Sequence, residues 1–94
     1  MSDDSKVVIT CEPYMDISDA VNIHKELQNA LDSGQEVEIK ASEVERIDTS
    51  VLQLFYGFIK EAQTRGIAIK WKEVSEPVKT SATNLGITKH LGIP

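Results

Sequence analysis

Cysteine is nearly absent from this 94-residue chain. Cys11 stands alone, which excludes an internal disulfide and a cysteine metal cluster. Its place at the end of an apolar run reads as a small core residue. Aromatic residues make up only 5% of the chain, and Trp71, Phe55 and Phe58 read as core rather than as ligand-stacking surface. Basic charge is in deficit: 10 Lys and Arg against 15 Asp and Glu give a net charge of −5. An acidic chain argues against a nucleic-acid or anionic-membrane surface. Lys70, Lys72, Lys79 and Lys89 gather in the C-terminal third and read as solvated lysines. No apolar run approaches the ~18 residues that cross a bilayer, and the start, MSDDSK, is polar and acidic rather than a signal peptide. The expectation is a cytoplasmic protein without direct membrane insertion.

The chemistry of most catalytic sites is also missing. The glycines at 34, 57, 66, 86 and 92 are not spaced as a phosphate-cradling loop. His24 and His90 lack metal-ligand spacing, and no nucleophile elbow is present. No metal, cofactor or catalytic residue is therefore expected, and the chain reads as a binding or switch module rather than an enzyme.

What the chain does have is periodicity. Its composition, 40% hydrophobic and 27% charged, is that of a soluble globular domain. Residues 1–5 read as a disordered tail and 6–94 as one domain. Lys6 to Cys11 is β-branched and reads as a strand, interrupted by Pro13. Tyr14 to Ile17 reads as a second short strand or the return of a hairpin. Ser18 and Asp19 can cap a helix carrying Ala20, Ile23, Leu27, Ala30 and Leu31 on one face, closed by Gly34. Glu36 to Ala41 alternates with period two, Ser42 to Arg46 reads as a polar turn, and Ile67 to Lys72 alternates again. Ser75 with Pro77 opens a third helix. The order is ββαβαβα with an added terminal turn, which implies crossover connections and a mostly parallel sheet.

The centre of the chain is IDTSVLQLFYGFIKEA, Ile47 to Ala62. Val51, Leu54, Phe55, Phe58, Ile59 and Ala62 repeat at helical spacing. Asp48, Thr49 and Ser50 fall at the helix N-terminus, where backbone N–H groups are unpaired and negative charge is favoured. A hydroxyl there is either a plain N-cap or a phosphate acceptor. Position alone favours the cap.

The pattern VEIKASEVERIDTSVLQLF, with YMDIS upstream and GITKHLGI at the end, resembles the STAS domain family, which includes the bacterial anti-sigma factor antagonists. The resemblance implies an α/β fold: a mixed, mostly parallel sheet of four to five strands with helices packed on one face. It implies phosphorylation at Ser50, with Thr49 as second choice. It places Asp16, Asp48, Thr49, Ser50 and Gln53 on the partner-binding surface. It implies a histidine-kinase-like serine kinase or anti-sigma factor as partner, and a PP2C-type phosphatase to reverse the modification. The alternative implied is an accessory protein that docks constitutively in a lipid-transport ATPase complex or a chemotaxis-linked system. Three residues depart from the family pattern: Pro13 in the first turn, Lys40 on the strand leading to the site, and Val51 where glycine is usual. Lys40 is a candidate charge partner for Asp16 or for a phosphate on Ser50, and Val51 is expected to add bulk beside Ser50.

Overall fold

The structure, a computed structural model, describes residues 6–93. The tail expected at 1–5 lies outside the described residues. The elements are β1 (Lys6–Thr10), β2 (Tyr14–Met15), a 3-10 turn (Ile17–Asp19), α1 (Ala20–Ser33), β3 (Glu36–Lys40), β4 (Arg46–Ile47), α2 (Thr49–Thr64), β5 (Ile69–Lys72), α3 (Glu76–Leu85) and α4 (Thr88–Leu91). β3 lies between β1 and β5, parallel to both, and β2 pairs in parallel with β4. The expected mixed α/β architecture is present. The five strands among the described residues are divided, three in one sheet and two in a short separate ladder.

Pro13 explains the division. It has no N–H to extend the β1 ladder. Its carbonyl instead accepts from the N–H groups of Glu45 (2.7 Å) and Arg46 (3.0 Å). The chain is thereby handed from β1 to the β4 segment. β2 is not the return arm of a hairpin: Tyr14 sits opposite Arg46 and Met15 opposite Ile47.

The three-stranded sheet has two unlike faces, because successive side chains alternate across a strand. Ile9, Val37 and Ile39 are buried on the core side, with Trp71 of β5 half-buried against them. Lys6, Glu36, Glu38, Lys40 and Lys70 occupy the other side. Glu38 is the one buried charge there, at 7% exposure among the described residues, and Lys6 Nζ meets it at 2.9 Å. The hydrogen bond from Lys6, aided by the nearby charges of Lys72 and Lys40, holds this carboxyl below its usual range.

α1 packs against α2, and α2 against α4. The buried face of α2 is Val51, Leu52, Phe55, Phe58, Ile59 and Ala62. Leu54, expected on that face, is half-buried, and Leu52 is inside instead. Phe55 meets Trp71 with ring centroids 5.8 Å apart. The Trp71 indole donates to the Leu91 carbonyl at 2.7 Å, tying α4 to the sheet. Gly34 ends α1 in the left-handed region, at φ +70°. Cys11 is buried, and burial with the nearby Glu26 charge raises its thiol pKa to about 12, so it is a core residue and not a nucleophile.

Candidate functional site

The stretch between β3 and α2 is anchored at several points. Val44, within the turn, is 2% exposed and plugs into the core. Ser75, at the start of α3, donates its hydroxyl to the Val44 carbonyl at 2.7 Å, and its N–H to the Ala41 carbonyl at 3.0 Å. The Asp48 N–H donates to the Met15 carbonyl at 2.8 Å, which fixes the start of α2 beside β2. Below the first turn, Val51 and Leu52 are fully buried. The mouth of this helix is therefore held by the core beneath it and by the β2–β4 ladder beside it.

Asp48 is the N-cap of α2, with extended backbone at φ −70°, ψ 144°. One oxygen, Oδ1, accepts both the Ser50 N–H at 2.9 Å and the Ser50 hydroxyl at 2.7 Å. Capping thus falls to the carboxylate, and neither hydroxyl is the cap. These two hydrogen bonds, the hydroxyl first, pull the Asp48 carboxyl below its ordinary value. Thr49 is exposed as the first residue of the helix, and Ser50 is partly exposed. The Ser50 hydroxyl spends its proton on Asp48, and the lone pairs of its oxygen remain available. Phosphorylation of that oxygen would remove the proton that Asp48 accepts. It would also add a group of about −1.5 to −2 charges beside a carboxylate held ionised.

Asp16 caps the 3-10 turn: its side chain accepts from the Ser18 N–H at 2.9 Å, and Asp19 accepts from the Asp16 N–H at 3.3 Å. Asp16 therefore caps the 3-10 turn, with Asp19 completing the capping box, and Asp19 in turn stands at the N-cap of α1 without a side-chain hydrogen bond. Asp16, Asp48 and Thr49 line one open surface groove of about 480 Å³ with Tyr14, Arg46 and Ile47.

A family model described as "Mlab, STAS domain" matches residues 2–93. The chain belongs to the STAS domain family. STAS domains generally mediate protein–protein interactions and are generally not enzymes. No curated protein gives a significant match to the chain.

In this STAS domain the expected site residues separate into groups. Asp16, Asp48 and Thr49 share the groove, and Ser50 joins them through its bond to Asp48. Gln53 does not: it lines a different groove, between α1 and α2, with Leu27, Leu54 and Phe58. Lys40 is exposed at the end of β3, in register with Thr10 and Lys72. Among the described residues no ion pair joins it to Asp16, and its field falls on Glu38. Val51 corrects a further expectation. Its side chain is 0% exposed, so its bulk goes into the core, and Ser50 beside it is partly exposed.

Arg46 and Tyr14 are groove residues that the sequence did not single out. Arg46 was hidden in what read as a polar turn. A two-residue strand is too short to carry a period, so nothing in the pattern placed Arg46 opposite Tyr14.

Proposed function

We propose that this STAS domain is a non-enzymatic switch protein of the anti-sigma factor antagonist type, regulated by phosphorylation of Ser50. Its partner is a serine kinase or anti-sigma factor of the histidine-kinase-like fold, and a PP2C-type phosphatase restores the hydroxyl. The carrying observation is the Asp48–Ser50 pair: a partly exposed hydroxyl, 2.7 Å from an ionised carboxylate, at the mouth of a helix whose first turn is rooted in the core. The Ser50 oxygen attacks the terminal phosphorus of ATP, ADP departs, and the serine proton is released. The Asp48 carboxylate orients the hydroxyl for that attack. The added phosphate breaks the Asp48–Ser50 bond and blocks close approach of a docked partner, while Val51 and Leu52 keep the helix in place. Thr49, exposed beside it, is the second choice of acceptor.

Ser50→Asp removes the hydroxyl donor and sets a second carboxylate against Asp48. With the kinase partner purified, this variant is expected to bind at least about tenfold more weakly than wild type, a loss of about 1.4 kcal/mol, with its fold intact by circular dichroism. Equal affinities reject the switch.

A second reading draws on the same pair. The Ser50 proton is already committed to Asp48, so the surface can serve unmodified as a constitutive docking face. In that reading the partner is the ATPase of a lipid-transport complex or a chemotaxis-linked protein, and Ser50→Asp need not be mimicking any natural state. Protein that copurifies with such a partner and carries no phosphate in any growth phase selects this reading.

A further inference from the structure

Beside the groove, Tyr14 and Ile17 are each 61% exposed and Val21 is 73% exposed. Single exposed apolar side chains are ordinary on a protein surface, so placement decides. Ile17 opens the 3-10 turn that leads directly into α1, and Val21 follows it in the first turn of α1. Tyr14 lines the groove that holds Asp48 and Thr49, and on its other flank it lines a second hollow with Glu12, Asp19 and Glu26. The other exposed large apolar residues, Val8 on the open sheet face and Leu85 at the end of α3, are less exposed, at 43% and 38%. Asp16 caps the turn that carries Ile17, Tyr14 lies in the β2–β4 ladder and Val21 in the first turn of α1.

The hollows flanking Tyr14 are predominantly acidic, while Lys25 lies one turn beyond Val21 on α1. Asp16 and Asp48 lie on one side of Tyr14, Glu12, Asp19 and Glu26 on the other, and Glu45 approaches the Tyr14 hydroxyl at 3.5 Å. Among the described residues Arg46 is the sole cation lining these two hollows. An acidic rim of this kind opposes a second copy of the same face, and it opposes an anionic bilayer. It complements a basic one.

We propose that Tyr14, Ile17 and Val21 are the apolar anchor of a docking surface for a protein whose contact patch is an apolar socket ringed by lysine and arginine. The inference rests on the partner-docking reading above and names the chemistry of that partner. Toward a basic rim the charge of a phosphate on Ser50 favours approach, so the disengaging effect, in the phosphoprotein and in Ser50→Asp alike, comes from loss of the Asp48–Ser50 bond and the rearrangement forced by a second anion beside Asp48.

The test uses the full chain in its native cell, with the photo-crosslinking residue benzoylphenylalanine replacing Val21 and, as a control, Val8. Thermal melting of each variant checks that these exposed positions leave the fold unchanged. The expected result is one protein adduct from position 21 and none from position 8. The adduct peptide should map to an apolar patch flanked by lysine or arginine. Against that purified partner, Val21→Glu should weaken binding about tenfold or more, as for an interface hot spot, and added salt should weaken wild-type binding. An adduct with a second copy, with lipid, with an acidic or uncharged peptide, or only from position 8 overturns the proposal, as does no adduct at all. A Val21 adduct of unchanged yield in a Ser50→Asp background leaves the docking surface standing and rejects the switch. Phosphate on Ser50 without a Val21 adduct does the reverse.

Discussion

Asp48 Oδ1 takes two hydrogens from a single residue, the Ser50 amide at 2.9 Å and the Ser50 hydroxyl at 2.7 Å. The first closes the helix and the second orients the candidate acceptor, so the two functions can be separated by substitution. Asp48→Ala removes both and is expected to lower the urea midpoint more than Asp48→Asn, which keeps an acceptor oxygen. Ser50→Ala keeps the amide bond and is expected to cost less than either. The pH dependence has a definite sign. The folded carboxyl lies below its unfolded value, so its stabilisation is complete above the unfolded value, near pH 4. It is lost as pH falls through the folded value. Denaturation at neutral pH and again below about pH 4 should therefore show the gap between wild type and Asp48→Asn closing on acidification. A gap that widens in acid contradicts the ionised cap. The acidic residue at the helix start was plain in the sequence, but its role was not. Asp48, Thr49 and Ser50 are all competent caps, and only the backbone geometry chooses among them.

At the scale of the element, α2 carries an anomaly at Gly57. Glycine in a helix interior is destabilising by about 0.5–1 kcal/mol relative to alanine. A Cβ added at Gly57 would meet nothing within 4 Å, so no close packing within the described fold requires the glycine. Gly57→Ala is accordingly expected to raise stability by about 0.5–1 kcal/mol in urea denaturation. A loss of stability would mean that the helix bends or packs there differently. The long elements were legible because they repeat: Ile23, Leu27, Ala30 and Leu31 mark α1, and Val37 with Ile39 marks β3. Leu52 was missed because it sits next to Val51 at the very start of α2, where the core reaches up around the first turn. β2 and β4 were less legible still. Two residues show no period, and their pairing depends on a contact between Pro13 and Glu45–Arg46 that spans more than thirty positions of chain.

At the scale of the whole molecule, the parallel order follows from crossover connections, and it places the two β-strand ends, Met15 and Ile47, side by side under the mouth of α2. That arrangement brings Asp16 and Asp48, distant in sequence, to one groove. Asp16, Asp48 and Gln53 were all expected on one partner-binding surface; Asp16 and Asp48 line this groove, and Gln53 lines the groove between α1 and α2. The rooting of α2 through buried Val51 and Leu52 suits the proposed switch, in which docking changes and the scaffold stays. The most direct measurement is the intact mass of this protein purified from its native cell across growth conditions, compared with Ser50→Ala. The account predicts a species heavier by about 80 Da, one phosphoryl group, that is absent from the Ser50→Ala protein. A mass that never changes, or an added phosphate that survives Ser50→Ala, contradicts the assignment of Ser50 as the regulated residue.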